Sequence, residues 1–319
     1  MTTLAVDWGG RRIKLGIVQD GNVVALSILS AEADQPLRLR LKVVVEHLDA
    51  LCRRHGIRTD ECEGVAFAYP SIIDTVNGRI LDHFGKFGEA GELDLRSWAK
   101  ETIGLPLAID NDARAALIGE WRHGAGKDCD NLVIMTLGTG LGTSVVMQGR
   151  VVRGVHGQAG ILGGHFTVQY DGRRCVCGNV GCAEAEASTW MLDSLARARR
   201  DFSASNLSSE ALIDYAAIFR LASVGDACAC ALRDHSLRVW SAAAVNLIHA
   251  YDPEKIILGG GVMASGGVIL AAISDRVRQN AHTPWGRVQV VSSALGDHAA
   301  LLGGEWLVQE QREFCCEKS

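Results

Sequence analysis

The sequence predicts an α/β protein built from two related domains. Three observations carry that expectation. The length of 319 residues suits roughly two domains. Apolar strand-like runs alternate with amphipathic helical stretches. The pattern VDWGGRRIKLGIVQDGNVV near the start returns as MTLGTGLGTSVVMQGRVV about 130 residues later, too far apart for a solenoid repeat. Each copy reads as a strand, a glycine-rich turn, a strand, a one-glycine turn and another strand. Two such domains would present a ligand cleft between them.

The elements follow in order. LAVDW, IKLGIVQ and VVALSI are strands, and QDGN is a hairpin turn whose Asp-Gly pair supplies positive φ. A helix follows, with Pro36 suited to its first turn. Its apolar face is Leu37, Leu41, Val44, Val45, Leu48, Leu51 and Cys52, and Gly56 ends it. GVAFAY and PLAID are further strands, and ARAALIGEW is a helix. The second half adds helical stretches, the strand KIILGG, a helix, the strand VQVVSS, and a last helix from about Asp297.

Composition excludes several classes. Hydrophobic residues make up 48% and charged residues 22%, which is ordinary for a globular chain able to bury a core without disulfides. A net charge of −5 offers no cationic field for nucleic acid or an anionic membrane. MTTLAVDWGG lacks the pattern of a signal peptide, and no unbroken apolar run is of spanning length, so a cytoplasmic location is expected. The ten cysteines should then be reduced, and clustered ones point to metal or catalysis. Cys52, Cys62, Cys129, Cys228 and Cys230 are scattered and read as small buried hydrophobes. Cys315 and Cys316 lie in a charged tail.

Three glycine clusters are candidate phosphate or nucleoside sites. In DWGG, Gly9 and Gly10 let backbone N–H groups approach a ligand, Asp7 could hold Mg²⁺ through water, and Lys14 lies just downstream. LGTGLGTS offers Gly138, Thr139, Gly140 and Gly142, with Thr143, as a cradle of amides and hydroxyls. It has no Walker lysine, and the strand after it excludes a Rossmann turn. LGGGV, with Gly259, Gly260 and Gly261, sits between a strand and a helix. Each alone is equally a tight turn; three over duplicated halves favour a nucleotide. Asn111 and Asp112 fall where a strand meets a helix, so either could simply cap it.

These motifs together resemble the ROK family of sugar kinases and repressors, of the actin/hexokinase-like superfamily. DWGGRRIK, DNDARAALIGE, GTGLG, CVCGNVGCAE, LGGGV and LGDHAALLGG carry the likeness over nearly the whole chain. The resemblance implies two duplicated actin/RNase H-like domains with a nucleotide and sugar cleft between them. The first would span 1–112 plus 305–319. The second would span 113–304 and carry a zinc-binding loop at 165–184. It implies Asp112 as general base toward a sugar hydroxyl and Asn111 as a sugar contact. Asp7, Gly9 and Gly10 would face Mg²⁺ and phosphate; Gly138, Thr139, Gly140 and Gly142 would cradle phosphate; Gly259 to Gly261 would border adenosine. His165 and Glu184 match sugar-contacting positions, and a homodimer is the family's expectation.

His165, Cys175, Cys177 and Cys182 make a tetrahedral donor set for structural Zn²⁺, with Gly178 and Gly181 permitting the tight loop. Such an ion would stiffen the wall carrying His165 and Glu184. Four positions break the family pattern. Leu162 stands where a glutamate usually contacts the sugar, and an apolar group there leaves a hydroxyl unsatisfied, at about 1–3 kcal/mol. Arg11 replaces a threonine, Ser71 a glycine, and Arg114 an asparagine. The expected function is ATP-dependent phosphorylation of the primary 6-hydroxyl of a hexose or amino sugar, with Mg²⁺–ATP. The competing expectation is a non-catalytic sugar-sensing regulator on the same fold. With the first turn at Asp7, neither includes a preceding DNA-binding domain.

Overall fold

The computed structural model describes residues 1–82 and 85–316, with side chains as far as Glu313, so the tail cysteines Cys315 and Cys316 lie outside the described side chains. Two compact units result: Met1–Asp128, Val151–Ile161 and Ala294–Ser319 form the first; Cys129–Arg150 and Leu162–Ser293 form the second.

In the first unit, β1 (Thr2–Trp8), β2 (Arg12–Gln19) and β3 (Asn22–Ser30) run antiparallel. The β2–β3 turn has φ of 47° at Asp20 and 74° at Gly21, both positive as the two-residue loop requires. α1 (Leu37–Arg54) follows, with Leu37, Leu41, Val44, Leu48, Leu51 and Cys52 all buried. Arg53 and Arg54 occupy its last turn, where cations suit the helix dipole. β4 (Gly64–Tyr69) is buried throughout and lies parallel to β1. β5 (Ile72–Asp74) and β6 (Arg79–Asp82) pair separately. α2 (Leu95–Thr102) is capped by Asp94, which accepts from Ser97 N. β7 (Leu107–Asn111) is parallel to β4 and leads without a loop into α3 (Asp112–His123). The sheet order is β3-β2-β1-β4-β7. Trp8, Phe67, Tyr69 and Phe87 fill the core beneath it, with Trp8 centroids 5.4–5.9 Å from the other three.

The second unit repeats this plan. β8 (Leu132–Leu137) pairs antiparallel with β9 (Leu141–Met147), and β10 (Arg150–Val151) flanks β9. A loop then leads to the short helices α4 (Ala183–Ala187) and α5 (Leu192–Arg197). α6 (Tyr215–Ser223) and the long α7 (Ala227–Tyr251) precede β11 (Lys255–Gly259), which is parallel to β8. α8 (Gly266–Asn280) and β12 (Gln289–Ser292) complete the order β10-β9-β8-β11-β12. Position by position this matches the first sheet, so the duplication read from the sequence is present in the strand order.

The chain ends in α9 (Ala299–Cys316), back in the first unit, where Leu301 and Leu302 pack with Ala5 and Val18. α9 meets α3 through glycines. A Cβ at Gly303 would overlap the carbonyl of Ala115, and one at Gly119 the carbonyl of Ala299. That contact holds the helix bearing Asp112 against the sheet. No single helix among the described residues is long and apolar enough to cross a membrane. Gly303→Ala should therefore destabilise the chain by about 1–3 kcal/mol, the usual cost of overpacking a close contact. Urea titration measures it, and an unchanged midpoint would show that the two helices can separate freely.

Candidate active site

The first unit gathers its candidate residues at one end of its sheet. Asp7 lies on β1 opposite Lys14 on β2, and their side chains form an ion pair at 3.0 Å. Lys14 also pairs with Asp297 at 3.0 Å, and Arg12 reaches Asp297 at 3.4 Å. Lys14 is thus held between two carboxylates. Gly9 N donates to Arg12 O at 2.9 Å, closing the DWGG turn, and a Cβ at Gly9 would come within 2.6 Å of that oxygen. Gly10 follows, partly exposed. On β7, Asn111 caps α3 by accepting from Arg114 N at 3.2 Å, while its amide donates to Ser71 O at 3.1 Å. Asn111 therefore has a structural duty beside any ligand contact.

Asp112 opens α3. Its Oδ1 accepts from Ala113 N at 2.8 Å. The surrounding protein desolvates it, the charge of Asp7 adds repulsion, and Lys86 and the helix amides offset only part of this. Its pKa is pushed up to about 6. The residue as a whole is half-buried.

In the second unit, Gly138, Thr139 and Gly140 join β8 to β9, with Gly138 N donating to Gly140 O at 3.0 Å. Space beside Gly138 is open, with no atom within 4 Å of a built Cβ. Gly142 sits within β9 opposite Thr136. The Thr143 hydroxyl is buried and accepts from Gly163 N at 2.9 Å, so it braces the loop and does not face a ligand. Gly259 ends β11 opposite Thr136, and Gly260 has φ 90° with its Cα pressed on Leu137, where a Cβ would overlap the carbonyl. Gly261 begins the short turn into α8. The two glycine turns therefore meet at the C-terminal ends of the parallel strands β8 and β11. Glu184, on α4, meets the β8–β9 turn: its Oε2 accepts from Leu141 N at 2.9 Å.

The cysteine loop lies in the same unit. His165, Cys175, Cys177 and Cys182 bring their donor atoms within 4.8 Å of one another. His165 Nδ1 is 3.5 Å from Cys175 Sγ, and Cys177 Sγ is 3.7 Å from Cys182 Sγ. A tetrahedron with Zn–S near 2.3 Å and Zn–N near 2.05 Å has edges of about 3.6 and 3.8 Å, so the donor set fits that ion. Burial, with neighbouring thiols, pushes the Cys182 thiol far up. Three thiolates there would need a cation. The loop closes through Cys175 N to Asn179 O at 2.8 Å and Gly181 N to Arg173 O at 2.8 Å. At Gly181, φ is +69° and a Cβ would overlap the Gln169 carbonyl. Glu186, buried, accepts from Arg173 N at 2.6 Å and ties the loop to α4.

The family model that matches this chain is the ROK family, over residues 3–311. The chain belongs to the ROK family. The glucokinase of Halalkalibacterium halodurans is 30% identical to it over 321 residues, covering 97% of this chain and 95% of the relative. The DNA-binding transcriptional repressor Mlc of Escherichia coli is 26% identical over 287 residues, covering 88% of this chain and 68% of the relative. The structure of a ROK family glucokinase from Streptomyces griseus, in complex with glucose and AMPPNP, is similar with a TM-score of 0.80 and 28% identity. It covers 97% of this chain and 100% of that one. Such glucokinases carry the duplicated actin-like fold, in accord with the matching strand orders described above.

Against this ROK frame, one departure acquires a local reason. Arg114 is fully buried, pairs with buried Asp110, and donates to Gly157 O at 2.8 Å and Ala159 O at 3.1 Å. It holds the segment that precedes Leu162. Leu162 itself immediately precedes the short turn Gly163–His165 and is half-buried. Asp297, which pairs with Lys14 and Arg12, lies inside the ROK-like stretch LGDHAALLGG, and that motif is the one sequence signal for it. If the cysteine loop holds zinc, Gly181→Ala should lower bound zinc well below about one ion per chain. Metal analysis of protein purified without chelator measures this, and full zinc in that variant would show that the loop geometry is not what selects the ion.

Proposed function

We propose that this protein is an ATP-dependent sugar kinase that transfers the γ-phosphoryl group to a hydroxyl of a hexose or amino sugar, the primary 6-hydroxyl by the family's pattern. The observation that carries the reading is Asp112: a carboxylate at a helix start whose pKa is pushed up to about 6 by burial first and by the charge of Asp7 second. That value leaves it deprotonated at neutral pH yet basic enough to take a proton. In this reading Asp112 accepts the proton as the sugar oxygen attacks phosphorus, and Asn111 orients the sugar. His165 and Glu184 are, by the family's pattern, further sugar contacts, Glu184 through Oε1, since its Oε2 accepts from Leu141 N. Gly9 and Gly10 and the Gly138 to Gly142 turn serve phosphate, the latter through the N–H groups of Thr139 and Gly140, since Gly9 N, Gly138 N and Leu141 N already donate within the protein, and Gly259 to Gly261 border the nucleoside. Mg²⁺, when bound with ATP near Asp7, would neutralise phosphate charge. Zn²⁺ held by His165, Cys175, Cys177 and Cys182 would be structural, because all four positions are filled by protein donors.

One observation favours a second reading, a sugar-sensing regulator: Leu162 offers no acceptor to a sugar hydroxyl, and a repressor stands among the relatives. The two part on turnover. ATP consumption across a panel of sugars decides between them, with Asp112→Ala as the control. Turnover abolished in that variant supports the kinase, while sugar binding without turnover by the wild type supports the sensor.

The pH dependence is a sharper test of Asp112. The base form is lost as pH falls through about 6, so kcat/KM should fall about tenfold per pH unit below that value and level off above it. A profile flat down to pH 5 would remove Asp112 from the role of base.

A further inference from the structure

We propose that Thr189 is a positioning residue for the phosphate-binding turn at Gly138–Gly140: its side chain fixes which way the turn's amides point. The inference deepens the nucleotide assignment made above and rests on it.

The hydrogen bonds of this turn are asymmetric. The Gly138 carbonyl accepts from Thr189 twice, from Oγ1 at 2.7 Å and from the backbone N at 3.3 Å. The Thr139 carbonyl accepts from Trp190 N at 3.3 Å. In a trans peptide the carbonyl and the following N–H point in opposite directions. Drawing the Gly138 and Thr139 carbonyls toward residues 189–190 therefore turns the N–H groups of Thr139 and Gly140 to the opposite side. Two successive amides aimed the same way form a concavity suited to an anion. The adjoining peptides have other duties: Gly140 O accepts from Gly138 N at 3.0 Å, and Leu141 N donates to Glu184 Oε2 at 2.9 Å.

The latch is itself well anchored. Buried Trp240 of α7 donates from Nε1 to Ala187 O at 2.9 Å, two residues before Thr189. Cys182 and α4 lie just upstream, and Glu184 grips the far end of the same turn. Thr189 is thus the last link between a rigid support and a turn that otherwise has open space at Gly138. The hydroxyl bond is the only contact of the three that a side-chain substitution removes, since the other two donors are backbone N–H groups.

The test compares wild type with Thr189→Val, which keeps the volume and loses the donor, and Thr189→Ser, which keeps the donor. Calorimetry with AMPPNP and Mg²⁺ reads nucleotide affinity, and sugar binding is measured in parallel. Loss of this bond should weaken AMPPNP by about fivefold or more, with the serine variant close to wild type and sugar affinity unmoved in both. Should the valine variant fail to fold, Thr189→Ala removes the same donor with less steric demand. Equal AMPPNP affinity in wild type and the folded donor-less variant overturns the proposal, as does equal weakening of sugar and nucleotide, which marks general loosening. A wild type that binds AMPPNP but transfers no phosphoryl group retires the kinase reading and leaves this inference standing.

Discussion

A carboxylate taken out of water must be matched by a cation or by aimed hydrogen bonds, and the first unit's sheet end is organised by that constraint. Asp7, Asp110 and Asp112 gather there with Asp297, and the first three are treated differently. Asp110 is wholly buried and is matched by Arg114 and by Arg153, the latter at 3.1 Å, with Glu310 balancing Arg153 at 2.8 Å. Asp7 has Lys14, which is shared with Asp297. Asp112 has its neighbouring backbone amide and only the more distant pull of Lys86. Two carboxylates are therefore paired with cations in place, while the third has no direct cation partner and stays basic. Environments that drive like groups apart in this way are how one site assigns different roles to the same side chain.

The second unit meets the same constraint mainly with backbone. Glu184 is satisfied by Leu141 N, and Glu186 by Arg173 N together with the Arg173 guanidinium. The difference follows from what each unit has at the strand ends. The first brings charged side chains on β1, β2 and β7; the second brings glycine turns whose free-standing polar groups are amides and carbonyls. Duplication preserved the strand order while the chemistry at the strand ends diverged.

Much of this was legible in sequence because it is local. Asp20–Gly21 specifies its own turn, the apolar face of α1 repeats within one helix, and the β7–α3 junction is marked by Asn-Asp before a helical run. The cysteine loop was legible because donor spacing and glycines lie within 18 residues of one another, from His165 to Cys182. The rest depends on partners brought together only by folding. Nothing near Lys14 announces Asp297 from the other end of the chain, and nothing near Arg114 announces the carbonyls of Gly157 and Ala159. Glu184 could be recognised as important from its place after the cysteines, but its bond to Leu141 could not. Thr189 carried no motif at all; its significance lies in a hydroxyl reaching a carbonyl 51 positions away.

That last contact also explains why the cysteine loop matters beyond its own stability. Cys182 stands at the start of α4, Glu184 lies within it, and Thr189 lies two positions beyond its end. A five-residue helix spans only about 7.5 Å, too short to bend independently of its ends. Cys182, Glu184 and the start of the latch segment are consequently tied to one short rigid element. Cys182, Glu184 and Thr189 thus share one short strut, with Trp240 holding it at Ala187 and the cysteines keeping their own closure through Arg173, Asn179 and Glu186. The glycine turn is thereby gripped at both ends by one support, by Glu184 at Leu141 N and by Thr189 at Gly138 O.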